Sequence, residues 1–313
     1  TEVPLKVDAD QPAKFVVNGT AVEETTIDAL KEGKKVGTYT IDPLTGEVKF
    51  TPNKDFVGTP DEVTVQVKDE NGTTATAKYT PTVTAVTPTG EDVTSIGKQG
   101  KTQTGKPIFT EGDTEVPLKV DADQPAKFVV NGNAVEETTI DATKNSAKVG
   151  TYTINPLTGE VTFTPNKDFV GTPDAVTVQV KDENGTTATA KYTPTVTAVT
   201  PMGEDVTSTG KQGKVQTGTP KFTEGDAEIP LKVDADQPAK FVVKGNAAEE
   251  PTIDALKNGA KVGTYTINPL TGEVTFTPNK DFVGTPDAVT VQVKDENGTT
   301  ATAKYTPTVT AVT

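Results

Sequence analysis

VGTYTINPLTGEVTFTPNKDFVGTPDAVTVQVKDENGTTATAKYTPTVTAVT, residues 149–200, is the stretch on which the fold turns. It recurs letter for letter at 262–313, and a third copy at 36–87 departs only at Asp42, Lys49 and Glu62, where the others carry Asn, Thr and Ala. Within it, Tyr152 and Ile154 fall on one face of a strand, PLTG turns the chain, and Val161 and Phe163 return on the same inward face. The five-residue connection, opened by Asn155-Pro156 and closed by Gly159, makes this a hairpin. A second hairpin follows: Val176, Val178 and Val180 alternate inward, Glu183-Asn184-Gly185 supplies a positive-φ turn, and Ala188, Ala190 and Tyr192 return. The change from Lys49 to Thr162 falls on an outward position, as this register requires.

Gly37, Gly150 and Gly263 mark a period of 113 residues. Solenoid units, which cannot bury a core alone, are much shorter, so each copy is expected to be a domain in its own right. Punctuation at Pro88 and Pro201 divides the chain into module 1 (1–87, cut short at its N-terminal side), module 2 (88–200) and module 3 (201–313). Val-Thr-Ala-Val-Thr runs directly into Pro201 without a Gly- or Ser-rich spacer, so stiff junctions are expected. The fold class is all-β: three tandem immunoglobulin-like β-sandwich modules forming an elongated rod.

The rest of the module is less regular. The lead EDVTSIGKQGKTQTGKPIFTEGD, residues 91–113, reads as a loop-rich segment with one or two edge strands burying Val93, Ile108 and Phe109; a flexible linker is the alternative. EVPLKVDADQPAKFVVNG, residues 115–132, reads as two strands joined at an Asp-Ala-Asp-Gln-Pro turn, with Val116, Leu118 and Val120 alternating on the first and Phe128 and Val130 on the second. AVEETTIDATKNSAK, residues 134–148, diverges most between copies, Thr143, Asn145 and Ser146 standing where module 1 has Leu30, Glu32 and Gly33; a short helix and a loop fit it equally well.

Composition narrows the function classes. Apolar residues make up 33% and aromatics 5%, with no Trp, so each core is lean. Threonine, roughly a fifth of the chain, favours the half-exposed face of a strand. There is no Cys, His or Arg, so disulfide scaffolds drop out and an active site would rest on carboxylates, Lys, Tyr or hydroxyls. A formal charge of −14 argues against nucleic acid, and no apolar run reaches a membrane span. Thr1 opens in mid-pattern with no signal peptide, so the chain is expected to be part of a longer protein.

Candidate sites are few. Gly100-Lys-Thr-Gln-Thr-Gly105-Lys106 has the spacing of a phosphate loop, but Pro107 stands where a hydroxyl should follow. Asp182, Asn184 and Gly185 suggest a calcium loop, yet Val180 and Lys191 would fall at its ligating ends, so a hairpin turn is the better reading. Asp121 and Asp123, beside the Pro125 turn, are weak metal candidates, calcium being the one cofactor considered. An internal Lys–Asn isopeptide staple finds no acceptor in the last strand TTATAKYTPTV, and Asn155, Asn268 and Asp42 read as turn caps. Glu136, Glu137, Asp141 and Lys144, in the divergent segment, are the expected partner contacts if the repeats bind anything. No catalytic residue is assigned, and the chain is read as a non-enzyme.

GTYTIDPLTGEVKFTP, residues 37–52, with VTVQVKDENGTTATAKYTPTV, residues 63–83, resembles the CshA-type fibril repeat of streptococcal and related Gram-positive surface adhesins, and the likeness extends to the GEDVTS…GKQG lead. The resemblance implies a secreted, cell-wall-anchored adhesin in which such repeats form a stalk or fibril and a separate region binds host matrix or bacterial partners. Neither a secretion signal nor a sorting motif is in this sequence, so anchoring is expected by analogy. The alternative is that the repeats are themselves weak, multivalent binding modules.

Overall fold

The computed structural model describes residues 2–312, and every regular element in them is a strand. Module 2 serves as the reference. Its strands are β1 (Thr89–Glu91), β2 (Val93–Lys98), β3 (Gln103–Gly105), β4 (Ile108–Thr110), β5 (Leu118–Lys119), β6 (Lys127–Val130), β7 (Asn133–Ala134), β8 (Thr139–Lys144), β9 (Ala147–Ile154), β10 (Val161–Pro165), β11 (Val176–Asp182) and β12 (Thr187–Thr197). They form a six-stranded sheet in the order β2-β12-β11-β6-β7, with β5 also on β11, facing a four-stranded sheet in the order β3-β10-β9-β8. Module 3 repeats this arrangement strand for strand.

Both hairpins of the repeated block form in the expected register. Tyr152 faces Phe163 and Ile154 faces Val161 in one sheet, while Val178 faces Ala190 and Val180 faces Ala188 in the other. Their inward residues meet between the sheets, where Tyr152 lies 5.3 Å from Phe163 and edge-on to Tyr192 at 6.3 Å, ring centre to ring centre. Three such cores exist, one per module.

The lead supplies the expected edge strands and is not a flexible linker. Its β2 lies parallel to β12, Val93 opposite Tyr192, and its β3 pairs with β10, so one short segment contributes an edge to both sheets. Close packing and hydrogen bonds fix it there. Ser95 Oγ lies 2.7 Å from the Tyr192 hydroxyl and donates to Gln103 Oε1, and Gln103 Nε2 donates to Thr195 O. Gly105 lets β3 cross the Tyr192 ring, where a Cβ would come within 2.2 Å of the aromatic carbons.

Three expectations need correction. The divergent segment is built on β8 and the start of β9 rather than helix or loop: Ile140 and Ala142 alternate inward, and Asn145-Ser146, both at positive φ, makes a two-residue hairpin to β9. Ile108 is 53% exposed, because β4 pairs with β1 in a separate ribbon; its neighbour Phe109 packs on the core together with Val93. Val130 is exposed too, since β6 ends there and only Phe128 reaches the interior.

Among the described residues of module 1 no counterpart of the lead is present, and its sheets there have five and three strands. The consequence is visible at one residue. Tyr79, which corresponds to the fully buried Tyr192, is 38% exposed.

Candidate functional site at the junction between modules

The described residues contain no group of three metal-ligating side chains. The features that differ from copy to copy in their surroundings lie where one module meets the next. Module 2 presents the turn between β2 and β3, Lys98-Gln99-Gly100-Lys101, in which Gly100 has φ +78° and the Lys101 N–H donates to Lys98 O. Module 3 presents its Asp295–Thr299 turn, held by Asp295 Oδ1, which accepts N–H groups from Asn297 and Thr299. The two turns interlock.

Gln99 is the centre of the junction. Its Nε2 donates to Lys167 O at 3.0 Å and to Thr299 Oγ1 at 3.4 Å, its Oε1 accepts the Val199 N–H, and its carbonyl accepts Asn297 Nδ2 at 2.9 Å. With its own N–H donated to Thr197 O, every polar group of Gln99 is engaged, as a residue only 6% exposed demands. Val199 and Ile229 are buried on either side of the boundary. Module 3 carries the control: its equivalent Gln212, with no module docked on it here, is half-buried.

Charges ring this contact. Lys98 Nζ lies 2.9 Å from Asp226 Oδ2 and 3.4 Å from Glu228 Oε2, and Lys101 Nζ lies 3.6 Å from Glu296. Hydrogen bonding to Asp226 holds the Lys98 ammonium above the usual lysine range. The Asp226 carboxyl is held below the ordinary carboxylate range first by the Glu228 N–H and then by Lys98. These side chains are partly exposed, so the ring orients the contact more than it stabilises it. A further bond, Lys167 Nζ to Glu296 O at 3.5 Å, has its counterpart at the first boundary in Lys54 Nζ to Glu183 O at 3.2 Å. The same docking pose thus recurs, but among the described residues the first boundary shows no lead turn, and there Val86 and Val116 stay half-buried.

Sequence reading assigned GKQG to a loop and KDENG to a hairpin turn; it did not bring the two together. The only advance signal was a Gly-containing turn flanked by lysines in one module and an acidic turn in the next.

Of the residues singled out from sequence, Gly100 lies in this junction turn and the metal and partner candidates lie elsewhere. Asp121 Oδ1 accepts the N–H groups of Asp123 and Gln124, which makes it the cap of the DADQP turn, while Asp123 points to solvent. Asn155 likewise caps its own turn by accepting the Leu157 N–H. Glu136 and Glu137 sit between β7 and β8 on the rim of a groove of about 380 Å³ floored by Pro125, Ala126, Ile154 and Pro156, with Glu136 paired to Lys127. Asp141 and Lys144 belong to the edge strand β8, where Asp141 pairs with Lys148 at 2.7 Å.

A collagen adhesin of Staphylococcus aureus is 26% identical over 312 residues, covering 93% of this chain; the chain spans 22% of that relative's length. Among solved structures, the I9–I11 tandem of titin covers 97% of this chain and 90% of its own at 12% identity and a TM-score of 0.32. Mouse cadherin-23 EC22–24 covers 97% and 100% at 14% identity and a TM-score of 0.30. The family described as the surface adhesin CshA repetitive domain matches residues 1–83, 85–196 and 198–309. With its three matches taking in nearly the whole sequence, this chain belongs to the CshA repetitive-domain family of surface adhesins.

Proposed function

We propose that the three modules are a non-catalytic spacer in a cell-wall-anchored surface adhesin, whose length is set by copy number and whose stiffness is set at the junctions. The observation that carries this reading is the buried, fully bonded Gln99 between modules 2 and 3. A flexible string of beads has no need to desolvate a glutamine at the boundary, because burying an amide is unfavourable unless each of its groups finds a partner. The net charge of −14 fits parallel stalks that repel one another on a crowded surface. In this reading the adhesin's principal ligand is held by a distal region outside these repeats, which the spacer projects.

Small-angle scattering on the 313-residue chain tests the spacer. A compact domain of this size is ~35 Å across, so a maximum dimension of ~100 Å or more is expected. A value well below that, or a distance distribution without resolved inter-module peaks, would refute the reading.

A further inference from the structure

The groove rimmed by Glu136 and Glu137 is built three times. In module 1 Ala13, Ile41 and Pro43 floor it beside Glu23 and Glu24, and in module 3 Ala239, Ile267 and Pro269 floor it beside Glu249 and Glu250. Its volume is about 240, 380 and 170 Å³ in modules 1, 2 and 3. At the tip of the neighbouring hairpin a leucine stands more than half exposed in every copy: Leu44 (56%), Leu157 (57%) and Leu270 (58%). A lone exposed leucine needs no explanation, but the same leucine beside the same apolar trough in each module is a repeated surface.

The charges at the rim say what would lie there. In each copy one lysine, Lys14, Lys127 or Lys240, is paired to the first glutamate. The second glutamate, Glu24, Glu137 or Glu250, has no ion-pair partner among the described residues. An apolar floor with one uncompensated carboxylate at its edge fits an apolar side chain next to a cation. In module 2 the trough continues past Leu157 into a second depression of about 430 Å³ lined by Phe109, Leu118, Val120 and Val180, with Ile108 exposed at its rim. Module 3 has Lys221 in place of Ile108.

We propose that this groove binds an extended, basic segment of a partner protein, seating one apolar side chain against the Pro125–Ile154 floor and Leu157 and the adjacent lysine or arginine at Glu137, with module 2 the strongest site. A second copy of this chain is disfavoured as the occupant by its own charge. Three weak sites in a row would gain by avidity when the partner is itself repetitive. The proposal is independent of the spacer reading, since a stiff and a flexible chain would display the same grooves.

The test is titration of the 313-residue chain with a labelled twelve-residue peptide in which Leu alternates with Lys, beside a Lys–Ser peptide and a Glu–Leu peptide. Saturable binding of the first alone is expected, weakened by salt. Leu44→Ser, Leu157→Ser and Leu270→Ser together should lower its affinity about tenfold, as the loss of one buried apolar contact implies. Glu24→Gln, Glu137→Gln and Glu250→Gln together should lower it severalfold while leaving every floor residue in place. Absence of binding at millimolar peptide, equal binding of the Lys–Ser peptide, or indifference to both triple variants would overturn the proposal. All six side chains are exposed, so unchanged circular dichroism is expected of both variants.

Discussion

Gly100 and Gly213 occupy the same place in successive modules, with φ of +78° and +71°. A side chain at either meets the same backbone penalty, about 1 kcal/mol in the left-handed region. Their surroundings differ. A Cβ on Gly100 would lie 2.0 Å from Asn297 Oδ1, whereas nothing stands within 4 Å of one on Gly213. Gly100→Ala and Gly213→Ala should therefore destabilise their own modules alike, but only the first should loosen the boundary between modules 2 and 3. Spin labels on those two modules would report it as a broadened distance distribution; equal broadening in both variants would contradict the interlocked turns. The charged ring makes a separate prediction. The largest single cause lowering Asp226 is the Glu228 N–H, which belongs to module 3 and survives undocking; the contributions of Lys98 and Lys101, both in module 2, are coupled to docking. A depressed carboxylate supports docking above its ordinary range and withdraws that support as pH falls through its lowered value, while the raised Lys98 withdraws its share only in strong alkali. Docking should then be flat from about pH 5 to 8, and a transition in the same distance measurement near neutrality would contradict this assignment.

At the scale of the element, the lead strand explains both what sequence could and could not disclose. Hairpins were legible because alternation of period two and a Gly-bearing turn are local signals, as at Tyr152–Phe163 and at Gly185. The pairing of β2 with β12 joins residues nearly a hundred positions apart, Val93 with Tyr192, and a parallel edge strand carries no turn to announce it. The hairpin of the divergent segment was obscured in module 2 by Asn145-Ser146, although module 3 spells the same turn as Asn258-Gly259, the stronger signal. Neither junction turn held an apolar pattern, so the interlock of Gln99 with Asn297 was invisible until the modules were placed together. Because the lead is keyed to its module through the Tyr192 hydroxyl, Tyr192→Phe and Tyr305→Phe should each cost about 1–2 kcal/mol by orphaning part of the Ser–Gln network. Tyr79→Phe removes a hydroxyl from a half-open site and should stay within about 0.5 kcal/mol. Hydrogen exchange resolved by module would register the first two as faster opening of β2 and its counterpart Val206–Lys211.

Across the 313 residues, near-identity of sequence does not mean identity of stability. Modules 2 and 3 each close both sheets with a lead, and their cores bury two tyrosines and two phenylalanines among the aliphatic residues. Module 1 has the same hairpins around a smaller core, in which Phe50 is only partly buried and Tyr79 stands outside. A shortfall of even 2–3 kcal/mol, about one large side chain's burial, shifts the midpoint of a domain this size by roughly 10–20 °C. Calorimetry on the 313-residue chain should thus resolve an early transition of about a quarter of the enthalpy, followed by a later one from modules 2 and 3 that the Gln99 junction draws together. Gly100→Ala should split that later transition by uncoupling the pair, and it should leave the early one of the 313-residue chain where it was, because among the described residues no turn like Lys98–Lys101 spans the first boundary. A single transition for all three modules would mean that the first boundary couples as strongly as the second, which the half-buried Val86 and Val116 argue against.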